Sequence, residues 1–207
     1  RSLAAGLTTG HKNGLKCVLT HNSKAKLTSN PVALAKAHDV FGCDYVGLGG
    51  FKVKDEDGLR YSDFINTYPA VAKALAENGK YFMYHNHASE FIKIGGKTIL
   101  ECLYEDFSKE QMGFTLDAYW IQVGGADPAD YIERFSGRVQ CVHLKDYGYG
   151  QRMEVVGEGN INFDRVFEKA EVAGTKYMLV EQDDCYGEDP FACLKRSYDF
   201  LKARGFA

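Results

Sequence analysis

The sequence lacks any apolar run that approaches the ~18 residues of a membrane-spanning helix. It also lacks an excess of positive charge, and its formal net charge of −3 argues against binding nucleic acid through the phosphates. The first residues, RSLAAGLTTGHKNG, contain neither a signal-peptide core nor an initiator Met. We therefore expect a start that is processed or incomplete, and a protein without a membrane or nucleic-acid partner.

Cysteines are present but lack the spacing of redox or zinc motifs. None of the six forms a C-x-x-C pair, and a chain of 207 residues does not need disulfide bonds to be stable. Cys17 and Cys141 lie inside apolar runs, where a thiol behaves as a small hydrophobic side chain. These features predict a reducing compartment, and we expect the protein to be cytoplasmic.

A dinucleotide fingerprint is also missing. The glycine-containing stretches VGLGG (46–50) and VGEGN (156–160) do not match G-x-G-x-x-G between a strand and a helix. No nicotinamide cofactor is therefore predicted. The second stretch is expected to form a loop close to a functional site.

Short apolar segments alternate with longer amphipathic ones along the chain. The strand candidates recur about every 30 residues, which is the size of a βα unit. Repeated βα units imply a parallel sheet, so a doubly wound sheet and an incomplete eight-stranded barrel both fit. No change in composition marks a second domain, and residues 1–207 are predicted to form one. The predicted strands are 15–21, 44–50, 81–87, 113–117, 139–146 and 177–183.

Helix signals fall between these strands. Asp127-Pro128 and Asp189-Pro190 each place an N-cap residue before a proline in the first helical turn. His11 and His38 are predicted to be surface residues of helices. A leading helix is predicted over 2–13, and the helices that follow are predicted to begin at Asn30, Tyr61, Thr98, Asp127, Asn162 and Asp189.

Polar side chains collect at the ends of five of the six predicted strands. Functional sites form at the carboxyl ends of parallel strands, both in barrels and in open sheets. Because side chains alternate between the faces of a strand, one face of each strand can point to a common centre. The side chains that this arrangement would bring together are His21, Asp117, His143, Lys145 and Glu181.

Imidazole and carboxylate groups together suit a divalent ion such as Mn²⁺, Mg²⁺, Co²⁺ or Zn²⁺. Such an ion would polarise a substrate hydroxyl or carbonyl and acidify the neighbouring C–H group. A carboxylate in reach could take that proton, and Lys145 could stabilise the developing oxyanion. Asp146 is predicted to orient a histidine rather than to bind the ion.

Four segments carry a resemblance to a known family. They are YHNHASEF (84–91), the stretch from GFTLDAYW to VHLKD (113–146), EVVGEGNINFDRVFEKAEVAG (154–174) and YMLVEQD (177–183). They resemble the sugar phosphate isomerase/epimerase proteins, a branch of the xylose isomerase-like TIM barrel superfamily. The similarity covers nearly the whole chain. It implies an α/β fold of the TIM (β/α)8 type with six βα units, lacking the first two strands.

The resemblance also implies a ligand set. The family holds one divalent metal ion with two glutamates, an aspartate and a histidine from four strand ends. By position these correspond to Asp117, His143, Glu181 and, as the fourth ligand, Glu90, with His87 as the rival. Many epimerases of the family have a histidine three residues after the aspartate.

Trp120 occupies that position here. An indole at this position departs from the pattern of those epimerases, and Trp120 could instead stack against a sugar ring. We therefore include it among the candidate substrate-binding residues.

The leading hypothesis is a metal-dependent isomerase or epimerase that acts on a sugar or polyol by proton transfer. Glu181 and Glu90 would transfer the proton. A metal-dependent dehydratase or lyase acting on a keto-sugar or inositol derivative is the alternative, and a non-catalytic sugar-binding relative is the third. Whether the chain forms a homo-oligomer is left open. The predicted substrate-binding residues are His21, His85, His87, Trp120 and Lys145.

Overall fold

A computed structural model describes residues 13–55 and 58–206. Residues 2–12 of the predicted leading helix, including His11, lie outside this part. The chain divides into two compact units. The first unit comprises Arg1–His85 and Ile92–Phe114, and the second comprises Asn86–Phe91 and Thr115–Ala207. That all 207 residues form one domain stays a prediction.

Six strands form the main sheet, and each overlaps a predicted strand. The order is β1-β2-β3-β4 in the first unit and β4-β5-β6 in the second, because β4 crosses the boundary. The pairs β1–β2, β2–β3 and β5–β6 are all parallel. The strands are β1 (Leu19–Asn22), β2 (Tyr45–Leu48), β3 (Tyr81–His85), β4 (Met112–Asp117), β5 (Val139–Leu144) and β6 (Tyr177–Val180).

Helices follow the strands, six of them close to where they were predicted. Asp127 and Asp189 are N-caps whose side chains accept hydrogen bonds from the first turns of α6 and α8. The helices α1 and α5 were not predicted. The helices are α1 (Lys24–Ser29), α2 (Pro31–Asp39), α3 (Tyr61–Ala76), α4 (Ile99–Asp106), α5 (Ala118–Val123), α6 (Pro128–Arg134), α7 (Phe163–Ala173) and α8 (Pro190–Lys202).

Shorter elements complete the fold. Three antiparallel hairpins pair Lys54–Asp55 with Gly58–Leu59, Lys93–Ile94 with Lys97–Thr98, and Asp146–Tyr147 with Met153–Glu154. Single 3₁₀ turns cover Ala88–Phe91 and Tyr149–Gln151. Within the described residues, no helix combines the length and the apolar character needed to cross a membrane.

The core of the first unit consists of aromatic side chains between α3 and the strands. Tyr68 stacks on Phe82 with 5.4 Å between ring centroids, and Phe64 meets Tyr84 edge-on at 5.2 Å. All four side chains are buried. Aromatic pairs in these geometries add about 0.5–1.5 kcal/mol each beyond the burial of their area.

In the second unit, the register of β5 and β6 positions the polar strand ends. Cys141 is opposite Tyr177 and His143 is opposite Leu179. The backbone N–H of Glu181 continues the ladder and donates to the carbonyl of Leu144 at 3.1 Å. Since both strands run in the same direction, His143 and Glu181 emerge at the same edge of the sheet.

Candidate metal centre

Asp117 is the last residue of β4 and also the N-cap of α5. Its Oδ1 accepts a hydrogen bond from the backbone N–H of Trp120 at 3.0 Å, which fixes the first turn of the helix. Its own N–H donates to Oδ1 of Asn86 at 2.9 Å. The residue is fully buried. These contacts hold the carboxylate in one orientation, with Oδ2 3.7 Å from Nδ1 of His143.

His143 lies between two carboxylates. Its Nδ1 contacts Oε2 of Glu181 in addition to the approach of Asp117. One ligand atom from each of the three residues can be chosen so that all lie within 4.8 Å of one another. Burial lowers the pKa of His143, but the two carboxylates outweigh it and raise that pKa to about 9. The raised pKa shows that the two carboxylates give the imidazole of His143 strongly negative surroundings.

This donor set fits a divalent metal ion. One nitrogen and two carboxylate oxygens are ligands that Zn²⁺, Mn²⁺ and Co²⁺ accept. The three side chains come from the ends of three different strands, so the backbone rather than a flexible loop sets their separation. The structure brings together Asp117, His143 and Glu181, which are three of the five side chains predicted to share a centre, and that they bind a metal ion stays a prediction.

Lys145 adds a buried positive charge next to this cluster. Its Nζ is 3.3 Å from Oε1 of Glu181 and also contacts Oδ2 of Asp183, and the residue is only 1% exposed. The ammonium group lies over the rings of Tyr119 and Trp120, 5.6 and 5.1 Å from their centroids. Burial lowers the pKa of Lys145, but the neighbouring carboxylates raise it overall, so the amine stays charged.

Glu90 is buried in the 3₁₀ turn that follows Asn86. Its Oε2 accepts hydrogen bonds from the backbone N–H of His87 at 3.1 Å and from the hydroxyl of Ser89 at 2.8 Å. The group of converging ligand atoms does not include Glu90. The structure thus gives this carboxylate a local role in the turn, and its role as a metal ligand or base stays a prediction.

His87 lies beside Trp120 in the second unit. Their ring centroids are 5.1 Å apart and tilted by 48°. Trp120 therefore has the imidazole of His87 and the ammonium group of Lys145 as neighbours. A flat indole with polar neighbours is the kind of surface against which a sugar ring can stack.

His21 and His85 meet in the first unit. Their ring centroids are 4.8 Å apart, and Nδ1 of His85 is 3.2 Å from the carbonyl oxygen of Gly49. A Cβ atom at Gly49 would lie 3.0 Å from Cβ of His21, and one at Gly47 would lie 2.6 Å from the carbonyl oxygen of Thr20. The glycines of VGLGG thus leave room for the neighbouring strand β1. A substrate-binding role for both histidines stays a prediction.

Asp146 does not orient a histidine among the described residues, which corrects the prediction. Its Oδ2 accepts from the backbone N–H groups of Gly157 and Gly159 at 2.8 and 3.0 Å. Its Oδ1 accepts from those of Tyr147 and Ile161 at 2.8 and 3.2 Å. The buried carboxylate therefore anchors the loop that contains VGEGN. A Cβ atom at Gly159 would lie 2.4 Å from Oδ1, so this position needs glycine.

Two contacts of Lys145, with Asp183 and with Tyr119, were not predicted. Asp183 was not among the predicted site residues, although it lies two positions after Glu181 and can thus share its face of the strand end. Tyr119 was not singled out. It lies one residue before Trp120 in the apolar helix α5, whose six residues are too few to show a helical period.

Comparison with known proteins supports the predicted fold. A family model described as a xylose isomerase-like TIM barrel matches residues 32–204. Among solved structures, a sugar phosphate isomerase/epimerase from Parabacteroides distasonis is 21% identical with a TM-score of 0.85, and the match covers 97% of this chain and 75% of that chain. No curated protein sequence matches the chain.

Two other solved structures are similar at lower identity. The probable 3-DHS dehydratase AsbF from Bacillus anthracis is 16% identical with a TM-score of 0.70, over 96% of this chain and 81% of that chain. The IOLI protein with a bound zinc atom is 12% identical with a TM-score of 0.71, over 98% and 81%. Matches this distant establish the fold alone. The predicted α/β fold, a TIM barrel type that lacks some of its βα units, is confirmed.

Proposed function

Because the chain belongs to the xylose isomerase-like TIM barrel family, we propose that it is a metal-dependent isomerase or epimerase acting on a sugar or polyol. The observation that carries this proposal is the convergence of Asp117, His143 and Glu181, whose ligand atoms lie within 4.8 Å of one another. The sugar phosphate isomerase/epimerase of similar fold supports the substrate class.

Asp117, His143 and Glu181 would hold one divalent ion, with Glu90 proposed as a fourth ligand. When bound, the ion would polarise a hydroxyl or carbonyl oxygen and make the neighbouring C–H group more acidic. The identity of the ion, Mn²⁺, Mg²⁺, Co²⁺ or Zn²⁺, is left to experiment. The zinc atom of the similarly folded IOLI protein makes Zn²⁺ the first ion to test.

Glu181 is proposed to move the proton. Its two oxygens have different neighbours, since Oε2 contacts His143 and Oε1 is 3.3 Å from Nζ of Lys145. Lys145 therefore places a positive charge beside the carboxylate that is proposed to accept the proton. It can also donate a hydrogen bond to an oxygen that becomes negative as the proton leaves the substrate. Glu90 is proposed as the second proton-transfer group.

Trp120 and His87 are proposed to bind the substrate ring, with Lys145 donating to a substrate oxygen. His21 and His85 are proposed as further substrate contacts. A cytoplasmic location is also proposed, and the six cysteines support it because all are free thiols.

A dehydratase or lyase is the second candidate. The observation that favours it is Trp120, which has no group that can give or take a proton and occupies a position where many epimerases of the family have a histidine. Lys145 could then donate a proton to a leaving group after Glu181 has removed one from carbon. Mass analysis of the product separates the two outcomes, since isomerisation keeps the mass and elimination lowers it.

Chelation and substitution of Glu181 test the proposal directly. A panel of aldoses, ketoses and keto-sugars is assayed with purified protein before and after removal of metal with a chelator. Turnover is expected to be lost on chelation, to return with added ion, and to fall by about 100-fold or more in Glu181→Gln.

The matched control is Glu171→Gln, which makes the same chemical change at an exposed position of α7. This variant should keep full turnover. Turnover that survives both chelation and Glu181→Gln would rule out the proposed chemistry.

A further inference from the structure

Helix α8 presents two different faces. On one face, Cys193 and Ser197 lie one turn apart and are buried. On another, Phe191, Leu194 and Tyr198 remain 80%, 52% and 44% exposed. These three large side chains are three and four positions apart, so they form one stripe along the helix. We call it the α8 stripe, a row of apolar side chains that the core of the second unit leaves uncovered.

The α8 stripe lines a groove of about 450 Å³. Val180 at the end of β6 and Leu201 on α8 complete its apolar lining, with Lys195 as a charged neighbour. Strand β6 lies at one end of the main sheet, and its four residues are only half-buried, whereas all those of β4 are buried. In the described part of the chain, the groove therefore lies beside an apolar sheet edge, which is typical of surfaces through which proteins associate.

The α8 stripe is complementary to itself. In a dimer with two-fold symmetry, the two α8 helices run in antiparallel directions, so a residue near the start of one helix faces a residue near the end of the other. With the axis at the middle of the stripe, Phe191 faces Leu201 of the second copy, and Leu194 faces Tyr198 of the second copy. Each contact occurs twice. A second copy of the chain therefore places apolar side chains against the groove of the first.

Charges at the border of the stripe favour the same arrangement. Nζ of Lys195 contacts both carboxylate oxygens of Asp199 one turn away, so both signs of charge are present on this border. The antiparallel arrangement brings Lys195 of each copy towards Asp199 of the other, and opposite charges then meet at the rim of the interface. A strongly basic or strongly acidic partner would meet a like charge at one of these two residues. The border therefore fits a second copy better than a partner of one charge sign.

The exposed area of the stripe fits a weak dimer. An aromatic side chain buries about 150–250 Å², so at their observed exposures the three residues of the stripe offer roughly 300 Å². A standard interface buries about 800 Å² per partner, so an interface built on this stripe and its border lies at the low end of the range. We propose that the α8 stripe and the adjoining end of β6 form the interface of a two-fold symmetric homodimer with a dissociation constant in the micromolar range.

Sedimentation equilibrium of the full chain, between about 5 and 500 µM, tests the proposal. We expect a monomer–dimer equilibrium in this range of concentration. Leu194→Glu places a carboxylate in the apolar contact and should raise the dissociation constant by at least about 10-fold. Because Leu194 is half exposed in the single chain, the variant should keep its fold, which circular dichroism checks.

Val172→Glu serves as the control, since it puts the same acidic side chain at an exposed apolar position of α7, outside the stripe. This variant should keep the wild-type dissociation constant. A wild type that stays monomeric over the whole range would overturn the proposal, and so would equal dissociation constants for the two variants.

An exchange of two charges tests the antiparallel arrangement. Lys195→Glu alone should raise the dissociation constant by about 3- to 10-fold, since two exposed ion pairs become repulsive. Adding Asp199→Lys to this variant should restore the wild-type dissociation constant, because the same pairs form with their signs reversed. A double variant as weak as the single one, or assemblies larger than a dimer, would contradict the two-fold arrangement. Since mass is measured rather than turnover, the result is independent of the proposed enzymatic function.

Discussion

Each oxygen of the Asp117 carboxylate has a different task. Oδ1 caps helix α5 through the N–H of Trp120, and Oδ2 faces His143. One carboxylate can serve both as a helix cap and as the proposed metal ligand because its oxygens point in different directions. A strand that ends in Asp and leads directly into a helix can thus supply a rigid ligand.

Asp146 lies outside the proposed metal centre, and its substitution should lower the stability of the fold. In Asp146→Asn, one of the two acceptor oxygens becomes an NH₂ group that faces backbone N–H donors. Two partly buried N–H groups then lose their acceptor, and we expect the free energy of unfolding to fall by roughly 2–4 kcal/mol. Urea denaturation followed by circular dichroism measures this change.

Asp164→Asn is the control for this prediction. It removes the same charge from an exposed carboxylate that pairs with Arg204 at the surface. Exposed ion pairs contribute little, so the loss should be much smaller than for Asp146→Asn. Equal losses in the two variants would mean that the four backbone hydrogen bonds of Asp146 do not anchor the loop.

At the scale of elements, the strands could be predicted and two short helices could not. The six strands are apolar runs bounded by turn residues, and tertiary contacts only adjusted their ends, so that β6 stops at Val180 before Glu181. Helices α1 and α5 have six residues each, too few to show a helical period. Their caps, Ser23 and Asp117, were the only local signals.

Helix α2 shows a further limit of sequence patterns. His38 was predicted to be a surface residue, but it is fully buried. Its Nδ1 lies 2.7 Å from the carbonyl of Leu34, and its Nε2 lies 2.6 Å from the hydroxyl of Thr20 on β1. A polar side chain on the inner face of a helix can be identified only when its partner on another element is known.

This buried histidine predicts how stability depends on pH. Burial lowers the pKa of His38 below 6.5, with nearby Lys80 acting in the same direction and Asp39 and the carbonyl of Leu34 opposing it. Below pH 6.5 the unfolded chain therefore binds a proton that the folded chain excludes. The contribution of His38 is complete above pH 6.5 and is lost as the pH falls, at no more than about 1.4 kcal/mol per pH unit.

Comparison of the wild type with His38→Gln isolates this effect. Unfolding free energies are measured by urea titration between about pH 7.5 and 5. The wild type should lose more stability across this range than the variant, because Gln does not titrate. Parallel curves for the two proteins would show that His38 titrates alike in the folded and unfolded chains.

At the scale of the whole molecule, the repeat of βα units predicted a parallel α/β sheet, and the resemblance to the family selected the TIM barrel type. The polar strand ends allowed most of the proposed centre to be predicted. Asp117, His143 and Glu181 follow from strand alternation, because regular backbone geometry determines where these side chains point. Glu90 and Asp146 did not follow, since both lie in loops, where hydrogen bonds to local N–H groups decide the orientation of a carboxylate.

The central claim is that Asp117, His143 and Glu181 bind one divalent ion. A crystal grown with Zn²⁺, with anomalous data collected at the zinc edge, tests it most directly. We predict one strong peak per chain, about 2.0–2.2 Å from a nitrogen of His143 and from a carboxylate oxygen of each of the other two residues. A map with no peak there, or with zinc bound only elsewhere, would contradict the claim.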